Sequence, residues 1–302
     1  MTTPQRATER ALGPKRESSG FILVVVLWIL AALAALASTY SVYAINAALA
    51  TQVDDDRLRI KNAISTGVEL AAYKLLADDK PQGAFAVRLG HSTVNVTFAS
   101  ESARVDLNAA PKALLAGVFT AIGVTSSDAS NFAERIVGWR KRADAGEQNA
   151  EAEAYKEAGY EYAPRQGPFQ NTLELRLVLG IPPYIVERVL PLVTVYSGVA
   201  QIDVRVAPPE VLSALPNITP DQLQRVLAQR KRNSTDGQAM LSLLGSAGAL
   251  ADAKANPAAR VQAQIRLDNG RNAGAEVVIF VLQDDNEPYR VLSWRDDMDG
   301  PI

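Results

Sequence analysis

The chain has 302 residues, 48% of them apolar and 21% charged, with a formal net charge of −2; this suits two globular units, or one large unit with an appendage, and excludes general disorder. The balance of 31 basic against 33 acidic residues argues against a broadly basic nucleic-acid binder. With no cysteine and a single histidine, His91, the protein has no disulfide scaffold, thiolate metal site, cysteine nucleophile or His-rich metal site, and little room for Ser-His chemistry.

No charge occurs between Glu17 and Asp54, and residues 21–37 are wholly apolar. A bilayer core is ~30 Å thick and a helix rises ~1.5 Å per residue, so about 20 residues are needed to cross it. Residues 21–44 reach that length. Arg6, Arg10, Lys15 and Arg16 precede the stretch against Glu9 and Glu17, a bias that keeps the N-terminus cytoplasmic and sends the rest across. Ala35, Leu36 and Ala37 could pass as a signal-peptidase site, but the apolar run is long for a secretory signal. It also continues in helical spacing: after Thr51 come Leu58, Ile60, Ala63, Ile64, Val68, Leu70, Ala71, Leu75 and Leu76, interleaved with charges, and neither Pro nor Gly interrupts residues 21–65. One long helix is predicted, half in lipid and half outside it, ended by Pro81 and Gly83. Its packing within the membrane would rest on Val25, Trp28 and the small residues Ala31, Ala32, Ala34 and Ala35.

Phe85, Val87 and Leu89, then Val94, Val96 and Phe98, alternate about a turn at 90–92 and predict two antiparallel strands; a third short strand is expected at 104–107. An internal duplication follows. Val105-Asp106-Leu107-Asn108-Ala109-Ala110-Pro111 aligns with Ile202-Asp203-Val204-Arg205-Val206-Ala207-Pro208, each a strand running into a Pro-started helix. Residues 134–142, with Arg140, Lys141 and Arg142, echo residues 224–232, with Arg230, Lys231 and Arg232: a second helix ending in a basic cluster, suited to the negative C-terminal pole. Thr219-Pro220-Asp221-Gln222 is a capping-box start. Between the halves, residues 145–170 form a polar insert without apolar periodicity. Leu173, Leu175, Leu177 and Val178 then lead through Gly180-Ile181-Pro182-Pro183 to Ile185, Val186, Val189 and Leu190, which reads as helix, glycine turn, helix. Strands at 263–268, 276–282 and 289–294 close the sequence, separated by turns at 269–273 and 284–287.

Gly20 directly precedes Phe21, after a short polar, basic leader, and the apolar helix starts at once. This junction resembles the processing site of type IV pilins and type II secretion pseudopilins. The resemblance implies that a membrane prepilin peptidase cuts on the cytoplasmic side after Gly20 and methylates the new amine of Phe21. Pilins usually carry Glu where this protein has Val25, and its absence resembles the K-type minor pseudopilin of type II secretion. Residues 107–111, 136–140 and Gly167-Pro168-Phe169 before 173–181 resemble the helical insertion of that family, and residues 202–212 its return from the insert, so the likeness spans nearly the whole sequence.

The resemblance implies an α+β fold: a pilin-like long N-terminal transmembrane helix and antiparallel sheet, with an inserted SAM-like, helix-hairpin-helix-like α-helical domain. The expected divisions are a cytoplasmic leader at 1–20, a transmembrane helix at 21–44, a periplasmic helix with the first strands at 45–107, the inserted helical domain at 108–199, and a second helical pair with the C-terminal strands at 200–302. The implied function is to cap the tip of the type II secretion pseudopilus and help start its assembly, for export of folded proteins across the outer membrane. Implied partners are the I- and J-type minor pseudopilins, the major pseudopilin, the prepilin peptidase and the inner membrane. The protein would cross that membrane once, with its bulk periplasmic. The rival readings are a membrane-anchored DNA receptor using helix-hairpin-helix modules, which leaves the Gly20–Phe21 junction unexplained, and a type IV pilus minor pilin.

Other clusters read more plainly. Gly123 and Gly180 sit in apolar turns resembling those of helix-hairpin-helix DNA binders, but Pro182 and Pro183 remove phosphate-binding N–H donors, so packing turns are expected and nucleic acid is not. Glu147, Glu151, Glu153, Glu157 and Glu161, with Tyr155, Tyr160 and Tyr162, form an acidic run. The resemblance implies Ca²⁺ in this insert; the residues alone, lacking EF-hand spacing, favour a solvated helix face, and no cofactor is required. Asp284, Asp285, Asp296, Asp297 and Asp299 read as a turn and a tail. Asp54, Asp55 and Asp56 have no nucleophile or base near them in sequence, so no enzymatic activity is expected.

Overall fold

The computed structural model describes residues 19–78, 80–90, 92–142, 150–233, 235–254, 256–282 and 287–297. In sequence order these form helix α1 (Ser19–Asp78), strands β1 (Gln82–Leu89), β2 (Ser92–Ser100) and β3 (Val105–Asp106), and helices α2 (Lys112–Ala121), α3 (Ser126–Arg140), α4 (Ala150–Glu157) and α5 (Pro183–Val189). There follow β4 (Val193–Thr194), β5 (Ile202–Asp203), α6 (Pro209–Ser213), α7 (Pro220–Arg232), α8 (Gly237–Leu244), β6 (Ala251–Asp252), β7 (Ala258–Arg266), β8 (Asn272–Val281) and β9 (Tyr289–Asp297). Contacts divide the protein into two units, at Arg59 and Ile60.

In the first unit the described part is helical throughout, and the apolar stretch is exposed along its whole length. Ser38, Thr39 and Thr51 turn their hydroxyls back to carbonyls three or four residues earlier.

The second unit has two cores. In one, Ile60, Ala63, Ile64, Val68, Ala71 and Ala72 bury a stripe at helical spacing against a five-stranded sheet of order β1-β2-β7-β8-β9, antiparallel throughout. Val94, Val96 and Phe98, then Val261, Ala263 and Ile265, then Ala275, Val277 and Ile279 face that stripe. Helix and sheet approach closely because Gly67 has no side chain: a Cβ there would lie 2.9 Å from Val96 Cγ2. The other face of the sheet is polar, carrying Thr93, Asn95, Thr97, Gln262, Gln264 and Arg266.

The other core belongs to residues inserted between β2 and β7, although those two strands pair directly, Ser100 opposite Ala259. This helical body is built from the predicted duplication. β3 pairs in parallel with β4, and β5 with β6, so each half leaves a short strand, passes through helices and returns beside it. The two halves share one set of buried side chains, including Leu107, Leu114, Ile136, Ile202, Leu212 and Met240. Residues 108–199 and 200–252, placed in separate divisions by the sequence reading, thus fold around one core. The halves meet closely at α2 and α6: a Cβ on Gly117 would overlap the Ala214 carbonyl oxygen.

Local differences from the sequence reading have physical reasons. Residues 172–177 form a 3-10 helix rather than an α-helix, with Asn171 accepting from the Leu173 N–H at 2.9 Å at its start. β7 begins at Ala258 rather than 263, because Ala258 and Ala259 are both buried and break the alternation by which a strand is recognised. β8 begins at Asn272, inside the expected turn, and the reversal is tighter, with Leu267 N–H bonded to the Arg271 carbonyl at 2.9 Å.

Candidate functional site

Phe21, Val25, Trp28, Ala31, Ala32 and Ala35 all lie on the exposed helix of the first unit; Trp28 is 74% exposed. Gly20 falls within the helix and precedes Phe21. Residues 1–18 of the expected leader, like His91, Glu147, Asp284, Asp285 and Asp299, lie outside the described residues. Leu33, Leu36, Ala37, Thr39, Tyr40 and Tyr43 flank a shallow, mostly apolar depression on the same helix. A helix this apolar and this exposed has no counterpart for its surface in water; lipid or other helices supply one. Among the described residues it is the one helix long and apolar enough to cross a membrane.

The helical body carries the most ordered polar chemistry of the molecule. At the end of α3, Arg140 donates from Nη1 to the Leu107 carbonyl and from Nη2 to the Ala110 carbonyl at 2.7 Å. At the end of α7, Arg230 donates from Nη2 to the Val204 carbonyl and from Nη1 to the Ala207 carbonyl at 2.7 Å. Leu107 and Val204, and Ala110 and Ala207, are equivalent positions of the duplication, so the same guanidinium clamp occurs in both halves. Burial lowers the pKa of both arginines, against the nearby Asp106 and Asp203 respectively. Arg140 and Arg230 lie in the last turns of their helices, as expected, and each also holds the preceding strand-to-helix turn. In the same turns Asp106 accepts from the Asn108 and Ala109 N–H groups, at 2.7 and 3.1 Å, and Asp203 accepts from the Arg205 N–H at 2.9 Å.

The symmetry extends to a match the sequence reading did not make, although it singled out Gly123 as a turn and Thr219 as a cap. Gly123 at φ +88 and Asn217 at φ +61 turn the backbone between the first and second helix of each half. In each half a threonine two residues later, Thr125 or Thr219, caps the second helix through its hydroxyl. Gly followed by Val-Thr in one half and Asn followed by Ile-Thr in the other was the available pattern, since Gly and Asn are the residues that most readily adopt positive φ.

The acidic run divides. Glu151 accepts from Arg135 at 2.9 Å, while Glu153 reaches only the exposed Lys156, at 3.5 Å. Burial raises the Glu151 pKa, outweighing Arg135. Tyr155, on the same helix, is fully buried, corrects the expectation of an entirely solvated face, and lies beside Trp139, Tyr160 and Tyr162. Its hydroxyl donates to the Leu177 carbonyl at 3.2 Å and accepts from the Leu179 N–H at 2.7 Å, which fixes the loop after the 3-10 helix. Among the described residues no group of three or more His, Asp or Glu side chains converges, and Glu147 of the acidic run lies outside them.

Where body and sheet join, Glu101 is fully buried. Its carboxylate accepts from Arg260 Nε at 2.8 Å and Nη2 at 3.2 Å, from Arg104 Nη1 at 3.2 Å, and from the Thr194 hydroxyl. Arg260 also reaches Glu276 at 2.8 Å. Burial alone would lower the Arg260 pKa, but the Glu101 and Glu276 carboxylates outweigh it and raise it.

Two family profiles, each described as type II secretion system (T2SS), protein K, match residues 92–198 and residues 202–262. The protein belongs to the K-type minor pseudopilins of type II secretion. The two matched stretches are the helical body with its flanking strands, one for each half of the duplication, and family members are structural components of the secretion system. One subunit in the crystal structure of the GspK-GspI-GspJ complex from the enterotoxigenic Escherichia coli type 2 secretion system has a similar fold, with a TM-score of 0.58 and 15% identity over 82% of this protein and 97% of that subunit. No curated protein sequence matches. For this K-family pseudopilin the apolar helix is compatible with a membrane anchor, and the α+β pilin-like fold is the one expected.

Proposed function

We propose that this K-type pseudopilin caps the tip of the type II secretion pseudopilus and helps start its assembly. Residues 1–20 are removed after Gly20, and the helix from Phe21 anchors the protein once in the inner membrane, N-terminus cytoplasmic and bulk periplasmic. The observation that carries this reading is the helical body inserted between β2 and β7, which adds a second core to a pilin-like sheet. A subunit stacked above would have to accommodate that body. Val25 supports the same position: a carboxylate in the membrane costs several kcal/mol unless paired, and a subunit with none above has nothing to pair it with. The I- and J-type minor pseudopilins are the proposed neighbours, as in the complex of similar fold, with the major pseudopilin below. The small residues Ala31, Ala32 and Ala35, beside Val25 and Trp28, let their helices pack laterally.

The decisive experiment is electron microscopy of assembled pseudopili with an antibody to residues 110–190. Label at one filament end is expected, and label along the shaft would sink the cap. Sequencing of the mature N-terminus is expected to start at Phe21, and Gly20→Val to leave the leader attached; a start near Ser38 would establish a secretory signal instead.

A further inference from the structure

The polar face of the sheet is indented at its junction with the helical body. A cavity of about 510 Å³ opens over two cross-strand rows, Gln82–Ala99–Arg260 and Ala84–Thr97–Gln262, with Arg104 at its side. The alanines contribute only methyl groups, so the depression lies between the longer side chains of Gln82, Gln262, Arg104 and Arg260. Charge there is unbalanced. The linked network holds three guanidinium groups, of Arg104, Arg260 and Arg295, against two carboxylates, of Glu101 and Glu276. Both carboxylates are already engaged at both oxygens: Glu276 accepts from Arg260 at 2.8 Å and Arg295 at 2.5 Å on one, and from Gln262 at 3.4 Å on the other. Arg104 donates from Nε to the Pro191 carbonyl at 3.1 Å and from Nη1 to Glu101, and its Nη2 has no partner among the described residues. Thr97 adds a hydroxyl, and Gln82 and Gln262 add amides, to the same wall.

We propose that this cavity binds a carboxylate presented by a protein partner, with Arg104 as the group that recognises it. The surplus cation is held in place by Glu101 and Pro191, so its geometry is set before a ligand arrives, and one end of the guanidinium remains to donate. A carboxylate removes the imbalance, whereas an ammonium would add to it. The inference does not depend on the tip position: it concerns a surface of the sheet, wherever the subunit sits.

Acidic side chains and polypeptide C-termini share this chemistry, and short peptides separate them. The full-length protein in detergent micelles would be titrated with Ac-Ala-Glu-Ala-NH2, with Ac-Ala-Gln-Ala-NH2, and with Ac-Ala-Ala-Ala-OH, binding being read by saturation-transfer NMR. A charge-assisted hydrogen bond predicts a preference of about tenfold for the glutamate peptide over the glutamine peptide. Tighter binding of Ac-Ala-Ala-Ala-OH than of the glutamate peptide would assign a polypeptide terminus as the source. Arg104→Gln is expected to abolish the preference. Ala84→Leu, which fills the cavity without altering any charge, is expected to weaken all carboxylate peptides alike and keeps the test valid if Arg104→Gln lowers the melting temperature. Equal binding of the glutamate and glutamine peptides, or glutamate-peptide binding that Ala84→Leu leaves unchanged, would overturn the proposal.

Discussion

Arg140 and Arg230 show how one residue can hold a supersecondary unit together. Each sits at the end of a helix and reaches back to two carbonyls of the turn that began its half of the duplication. Hydrogen bonds from a charged donor contribute about 1.5–3 kcal/mol, so Arg140→Gln is expected to lower stability by about 2 kcal/mol, read as a reduced urea midpoint. Arg140→Lys should not restore it, because an ammonium lacks the fork that spans both carbonyls. Gly117→Ala is expected to cost at least as much, since the new methyl collides with the Ala214 carbonyl and backbone must move. Both roles were invisible in the sequence. An arginine at a helix C-terminus reads the same whether it is solvated or holds a turn about 30 residues earlier. A helix-interior glycine likewise reads only as a weak helix former. Glu276 gives the acid limb of stability. Burial raises its pKa, but Arg260 and Arg295 lower it further, to a net depression below the ordinary value of 4.5. A depressed carboxylate adds stability above its unfolded pKa and loses it as pH falls through the folded one. Glu276→Gln should therefore flatten the loss of stability seen by denaturation below about pH 4.5, and leave the slope at neutral pH unchanged.

Elements were legible where one periodicity dominates. The long helix, the β1–β2 hairpin and the Pro-started helices after each short strand follow from spacing and from residues with a single conformational use. What was not legible depends on distant partners. Tyr155 looks like part of a polar segment until Leu177 and Leu179, more than 20 residues on, are seen to bond its hydroxyl. The start of β7 is hidden by two buried alanines, and the unity of the helical body by the fact that two similar halves share a core which neither sequence half announces. The membrane assignment of α1 has a direct check at this scale. Ala31→Arg places a charge at the middle of the apolar stretch, where insertion costs about 2.5–3.5 kcal/mol. The variant is expected to shift toward the carbonate-extractable fraction, whereas a helix that never enters lipid would tolerate it.

At the scale of the molecule, the place where the body is inserted changes what a deletion can test. Removing residues 110–190 would cut through a core shared with 202–247 and expose its remainder. Joining Ser100 to Ala258 instead removes residues 101–257, and the register of β2 on β7 brings those ends side by side. The shortened protein is expected to keep a cooperative β-rich unfolding transition. If the tip reading holds, the shortened protein, carrying an epitope tag at its C-terminus and labelled through that tag, should also lose the restriction to one filament end. Loss of the sheet in the shortened protein would mean that Glu101, and not strand pairing, holds the junction together.

The same insertion has a consequence for the order of folding. Strands β2 and β7 are neighbours in the sheet but are separated by roughly 150 residues, and closing so long a flexible loop costs about 4 kcal/mol of conformational entropy. The body carries its own parallel pairs, β3 with β4 and β5 with β6, and its own buried side chains, so it can fold before that loop closes and then act as a short tether. The central pairing of the sheet thus waits on the body, and the anchor-proximal helix stripe waits on the sheet. Pulse-labelled hydrogen exchange during refolding should find the Leu107 and Val204 amides, bonded to Thr194 and Asp252, protected before those of Thr97 and Gln262, which pair across β2 and β7. A polypeptide emerging from its N-terminal end would therefore hold its first two strands unpaired on one side until nearly all of it had been made.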